Sequence, residues 1–124
     1  MLKPSSTSVQ IHWLDSHDVI RRLNTAARQM KARHPEIERV LLFGSLARGE
    51  AVPGSDADLL IILSSADRPI RDRIARYLPE ALPISVDIFP YTGEEIDRML
   101  AEGNHLIRRA LNEGLELARE DAST

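Results

Sequence analysis

The stretch Leu41 to Leu63, LLFGSLARGEAVPGSDADLLIIL, constrains this chain more than any other. Val40 to Phe43 is a continuous apolar run, as expected of a strand covered on both faces, and the strand is read over Glu38 to Phe43. Gly44-Ser45 interrupts it. Leu46 to Gly49 fits one helical turn, and Glu50 to Ser55, with Pro53 and Gly54, reads as a loop. Asp58 to Leu63 is a second strand that starts on an acid and continues through apolar residues alone. Two such strands need a sheet, and the sheet needs amphipathic elements to cover it.

The flanking chain supplies them. Asp15 or Ser16 can cap a helix running to about His34, with Val19/Ile20, Leu23, Ala26/Ala27 and Met30 at helical spacing and Pro35 ending it. Asp67 can cap another helix with Pro69 at its first position. Ile70, Ile74 and Tyr77/Leu78 are expected to form its buried face, with Pro79 at its end and Arg68, Arg71, Arg73 and Arg76 in solvent. Ile84 to Phe89 reads as a third strand ending at Pro90. Thr92-Gly93-Glu94-Glu95 has capping-box spacing and opens a helix through Ile96, Met99 and Leu100 that ends at Gly103. Asn104 caps a last helix whose apolar stripe is Leu106/Ile107, Ala110/Leu111 and Leu115/Ala118. The pattern predicts an α/β (α+β) domain: a small mixed β-sheet flanked by helices. Residues 11–119 make one domain, 1–10 a flexible arm, and 120–124 a frayed tail.

Composition closes off several function classes. The chain has no cysteine, so disulfides and thiolate metal sites are excluded. Its net charge of -3 and its lack of a basic stripe with interleaved aromatics argue against direct nucleic-acid binding. The longest apolar run, Leu59 to Leu63, is too short to span a membrane, and MLKPSSTSVQ lacks the apolar core of a signal peptide. A cytoplasmic location follows as the expectation. His12, His17, His34 and His105 show no metal-ligand spacing. Trp13 and Tyr91 read as packing residues, although Tyr91 follows the third strand and could approach a base.

What remains is acid and phosphate chemistry. Asp56 and Asp58 are two apart, so on an extended segment both point to one side. Two neighbouring carboxylates repel unless a cation lies between them, and Mg²⁺ binds through one or two carboxylates plus substrate phosphates. Gly44 permits close backbone approach. Ser45 adds a hydroxyl at the start of a helical turn, where N–H groups favour anions. Arg48 can reach the same anion. Asp87 stands inside the apolar strand segment VDIF, and either faces solvent or joins Asp56 and Asp58. Three carboxylates at one sheet edge can hold two metal ions for phosphoryl transfer.

Phe43-Gly44-Ser45-Leu46-Ala47-Arg48-Gly49, followed by Ser55-Asp56-Ala57-Asp58-Leu59, resembles the signature of the DNA polymerase beta-like nucleotidyltransferase superfamily: GS, ten residues, DxD, then a distal Asp. The size and flanking sequence look most like the minimal nucleotidyltransferases (MNT). Asn104 to Leu117, NHLIRRALNEGLEL, resembles the closing helix of that group. The resemblance implies the nucleotidyltransferase fold and residue roles. Gly44 and Ser45, with Arg48 as a further phosphate contact, would bind the nucleotide. Asp56, Asp58 and Asp87 would be the metal ligands, and Asp87 would also help deprotonate the acceptor hydroxyl. The implied reaction moves AMP from ATP to a hydroxyl with Mg²⁺, two ions in all.

The same resemblance implies a partner. MNT proteins are antitoxins of HEPN-type toxins, and neutralise them by AMPylating a tyrosine. A hetero-oligomer is therefore expected. The length leaves no obvious acceptor-holding domain, which agrees with an acceptor supplied by another protein. Two other readings stay open: an antitoxin that acts by binding alone, and an adenylyltransferase acting on a small molecule of the aminoglycoside type.

Overall fold

The computed structural model describes residues 16–50, 56–79, 82 and 84–119. The expected arm, His12, Trp13, the Asp15 cap, residues 51–55 of the loop and the tail from residue 120 lie outside the described residues. In chain order the elements are α1 (Ser16–Arg33), β1 (Ile37–Phe43), β2 (Ala57–Leu63), α2 (Ile70–Tyr77), β3 (Val86–Thr92), α3 (Gly93–Ala101), α4 (His105–Glu113) and β4 (Leu115–Leu117). The sheet order is β3-β2-β1-β4. β1 runs antiparallel to both β2 and β4, while β2 and β3 are parallel and joined through α2. The expected small mixed sheet with helices is thus the observed architecture.

Alternation along the strands divides the core in two. Val40 and Leu42 of β1 and Leu59, Ile61 and Leu63 of β2 face one side, against Val19, Leu23, Ala27 and Met30 of α1 and Tyr77 of α2. Leu41 and Phe43, with Leu60 and Ile62, face the other, against Ile96 of α3 and Ile107 and Ala110 of α4. Both faces of the sheet are therefore covered over Val40–Phe43 and Leu59–Leu63, which is why these segments read as unbroken apolar runs.

Four local expectations change. α2 has the right periodicity but the wrong phase: Ile70, Ile74 and Leu78 are 40%, 39% and 52% exposed, while Tyr77 and Arg73 are buried. Arg73, expected in solvent, makes a two-pronged ion pair with Glu95, at 2.7 and 3.0 Å, and donates to the carbonyls of Arg68 and Pro90. Hydrogen bonds at all three guanidinium nitrogens, with both terminal nitrogens on the Glu95 carboxylate, make its burial tolerable. Pro69, not Asp67, occupies the N-cap of α2. β3 continues through Pro90 to Thr92, because an edge strand needs no ladder donor on its open side.

The last helix also ends early. α4 stops at Glu113, Gly114 is extended, and Leu115–Leu117 forms β4 rather than more helix. A side chain at Gly114 would lie 2.4 Å from the Ala110 carbonyl and 3.3 Å from Leu41 Cβ, so the chain passes too close here for any other residue. The capping box at Thr92 and Glu95 and the Asn104 cap form as read.

Candidate active site

Register and parity assemble the site before any side-chain detail is considered. Phe43 pairs with Asp58, and Asp58 pairs with Asp87 across the parallel β2–β3 ladder. The three residues form one row over three strands. Asp58 and Asp87 share the parity of Leu60 and Phe89, so they belong to the sheet face covered by α3 and α4. Asp56, two residues before Asp58, is exposed just ahead of β2.

Directly after Phe43 the chain turns at Gly44, whose φ is +89°. That left-handed conformation favours glycine. Space demands it as well, because a Cβ at this position would stand 2.5 Å from Asp58 Oδ2. Gly44 therefore lets the Asp58 carboxylate press against the backbone of the turn. Residues 45–49 form consecutive hydrogen-bonded turns rather than a full helix. Arg48 N donates to the carbonyls of Gly44 and Ser45, and Glu50 N to that of Ser45.

The electrostatics agree with this crowding. Partial burial pushes the Asp58 carboxyl above the ordinary aspartate range, and the charges of Asp87 and Asp56 push it the same way. A carboxylate that feels the charge of neighbouring acids is relieved by a cation, and Asp58 paired across the ladder with Asp87 suits a divalent ion that completes its shell with phosphate oxygens. The expected closure into a three-carboxylate cluster is not seen: among the described residues, no three His, Cys, Asp or Glu side chains stand together as a metal-holding group.

A pocket of about 390 Å³ opens at the turn. Phe43, Gly44, Ser45, Arg48 and Asp58 line one side. α4 supplies the other through His105, Leu106 and Arg109. Those three were not singled out as site residues by the sequence. The available signal was the spacing of His105 and Arg109, one helical turn apart and off the buried stripe of Ile107 and Ala110. Arg48 lines the pocket, but its Nε donates to Glu50 at 3.0 Å and a second nitrogen lies 3.9 Å from Glu113. Tyr91 is packed beside Ile62 near the far end of β3, about 13 Å along the strand from Asp87 at ~3.3 Å per residue, and serves the core.

The model of the family described as "Nucleotidyltransferase domain" matches residues 23–116, which span β1, the Gly44 turn, Asp58, Asp87 and α4. The chain belongs to the nucleotidyltransferase domain family. Nucleotidyl transfer is accordingly the class of activity to which this nucleotidyltransferase domain is assigned. Among solved structures it is similar to a Sulfolobus solfataricus protein described as a candidate nucleotidyltransferase. The two share 26% identity with a TM-score of 0.49, over 79% of this chain and 84% of the other. No curated protein matches it. Among the described residues, no helix of the nucleotidyltransferase domain is long and apolar enough to cross a membrane.

Proposed function

We propose that this chain transfers AMP from ATP to a hydroxyl group on a partner protein, in Mg²⁺-dependent fashion. The observation that carries the reading is the contact between Gly44 and Asp58, in register with Asp87, at the mouth of an open pocket. In the proposed reaction the Gly44-Ser45 turn receives the polyphosphate, with the Ser45 hydroxyl as a donor. Asp58, with Asp56 or Asp87, would hold Mg²⁺, which when bound neutralises phosphate charge. Asp87 lies on the open edge strand and is exposed, so it can accept the acceptor's proton. The acceptor oxygen bonds to the α-phosphorus, the bond to the bridging oxygen breaks, and pyrophosphate leaves.

The acceptor we propose is a tyrosine of a HEPN-type toxin, with this chain as its antitoxin. Support for that step is the resemblance of the Phe43–Leu59 motif and the Asn104–Leu117 segment to MNT proteins. The test uses ATP labelled at the α or the γ phosphate, Mg²⁺ and the HEPN-type protein. Label from the α position alone should appear on the partner, and should disappear with Asp58→Asn. Neutralisation of the toxin without label, surviving Asp58→Asn, would replace the enzyme reading with the binding-only one.

A further inference from the structure

We infer that Arg109 of α4, rather than Arg48, is the cation that binds the polyphosphate of the donor nucleotide. The inference rests on the nucleotidyl-transfer reading of the pocket and adds a residue to it. A polyphosphate entering beside Asp58 needs positive charge that is not already neutralised. Arg48 sits between two carboxylates, Glu50 at 3.0 Å and Glu113 at 3.9 Å, so its immediate surroundings are net negative. Arg109 lines the same pocket and has no carboxylate partner among the described residues. Glu113 is one turn along the same helix from Arg109 and is its natural mate. It lies instead within ion-pair distance of Arg48. That arrangement leaves the Arg109 guanidinium available in the pocket that Gly44 and Ser45 also line.

The pocket also separates charge recognition from base recognition. Leu106, 43% exposed, borders the same space and offers apolar surface to a base. Contacts made there do not use Arg109. Loss of Arg109 should therefore weaken ligands in proportion to their phosphate content.

The test is binding, read by titration of the full chain with inorganic tripolyphosphate, with α,β-methylene-ATP and with AMP. Arg109→Ala should weaken both polyphosphates about tenfold or more and leave AMP within about twofold, in the range of a lost charge-assisted hydrogen bond. Arg109→Lys should recover part of the loss. Arg48→Ala should weaken them less than Arg109→Ala, and Arg108→Ala, on the exposed side of α4, should match the unmodified chain. Circular dichroism melts check that each variant is folded. Equal polyphosphate binding by Arg109→Ala and the unmodified chain overturns the inference, as does a larger loss in Arg48→Ala. Arg109-dependent binding of tripolyphosphate in a chain that transfers no label would support the inference while removing the transferase reading.

Discussion

Gly44→Ala is the sharpest probe of the site because it tests backbone and side chain together. Gly44 has φ +89°, and holding an alanine in left-handed backbone costs about 1–2 kcal/mol. The added methyl would also stand 2.5 Å from Asp58 Oδ2, against a 3.0 Å floor that real Cβ contacts respect. The carboxylate must therefore move by at least 0.5 Å, the difference between those two distances. At about 3 to 5 °C per kcal/mol for a chain of this length, the melting temperature should fall by roughly 5 °C. Activity should fall far more. A misplacement near 1 Å costs about a hundredfold, so a loss of roughly ten- to a hundredfold is expected.

A double-mutant cycle separates the two causes. In an Asp58→Ala background the clash is gone, and Gly44→Ala should cost only its backbone share. The coupling should be about 0.5–1 kcal/mol, measured from thermal melts of the four proteins. Strict additivity, together with unchanged label transfer in Gly44→Ala, would refute the claim that the turn exists to admit the Asp58 carboxylate.

Other substitutions probe the remaining structure. Asp58→Asn should abolish transfer and yet raise the melting temperature at neutral pH. The Asp58 carboxyl is raised in the folded state, so its stabilising protonated form is complete only below the ordinary value of 3.8 and is lost as pH rises; the advantage of Asn should vanish at acid pH. Glu95→Gln should cost about 2 kcal/mol by chemical denaturation, less than a fully buried pair because the Glu95 side chain is 25% exposed. Glu95 is held down at about 2 from its usual 4.5 by Arg73, so its contribution stands above pH 4.5 and fades as pH falls toward 2, where mutant and parent should converge. Ile74→Gln, on the exposed face of α2, should change stability by less than about 0.5 kcal/mol, whereas Leu60→Ala in the core should cost about 2–5 kcal/mol.

The placement of Asp58 and Asp87 on one sheet face was legible because strand parity is a local property. Once β2 and β3 are strands, Asp58 and Asp87 follow from counting by twos, whereas Asp56 precedes β2 and the expected three-carboxylate cluster does not form among the described residues. That β3 lies beside β2 is what the structure adds. The errors arose where distant residues decide local structure. Ile70, Ile74 and Leu78 look like a buried stripe until Glu95, 22 positions beyond Arg73, draws that arginine inward and rotates the helix. Leu115 and Ala118 continue the helical period of α4, but β1 offers a strand edge at that point and Gly114 fits closely against Leu41 and Leu42. Arg109 and His105 lie in the segment that resembles the closing helix of the MNT group, but that resemblance assigns neither of them a role in the site. Their place in the pocket depends on how α4 crosses the sheet.

Sheet position gives the two paired acids different work. Asp58 is on β2, an interior strand, partly buried under the α4 side and pressed against Gly44. Asp87 is its ladder neighbour on β3, the edge, and is exposed. Neighbouring carboxylates in unlike surroundings are how a site divides roles between otherwise identical groups. The crowded acid suits a cation and the phosphates at the turn, and the exposed one suits a hydroxyl arriving from outside. In the proposed reaction the acceptor therefore approaches over the open edge of β3 while the nucleotide enters between the Gly44 turn and α4. A large side chain placed beside Asp87, as in Ser85→Trp, should then impair transfer to the partner while leaving nucleotide binding intact.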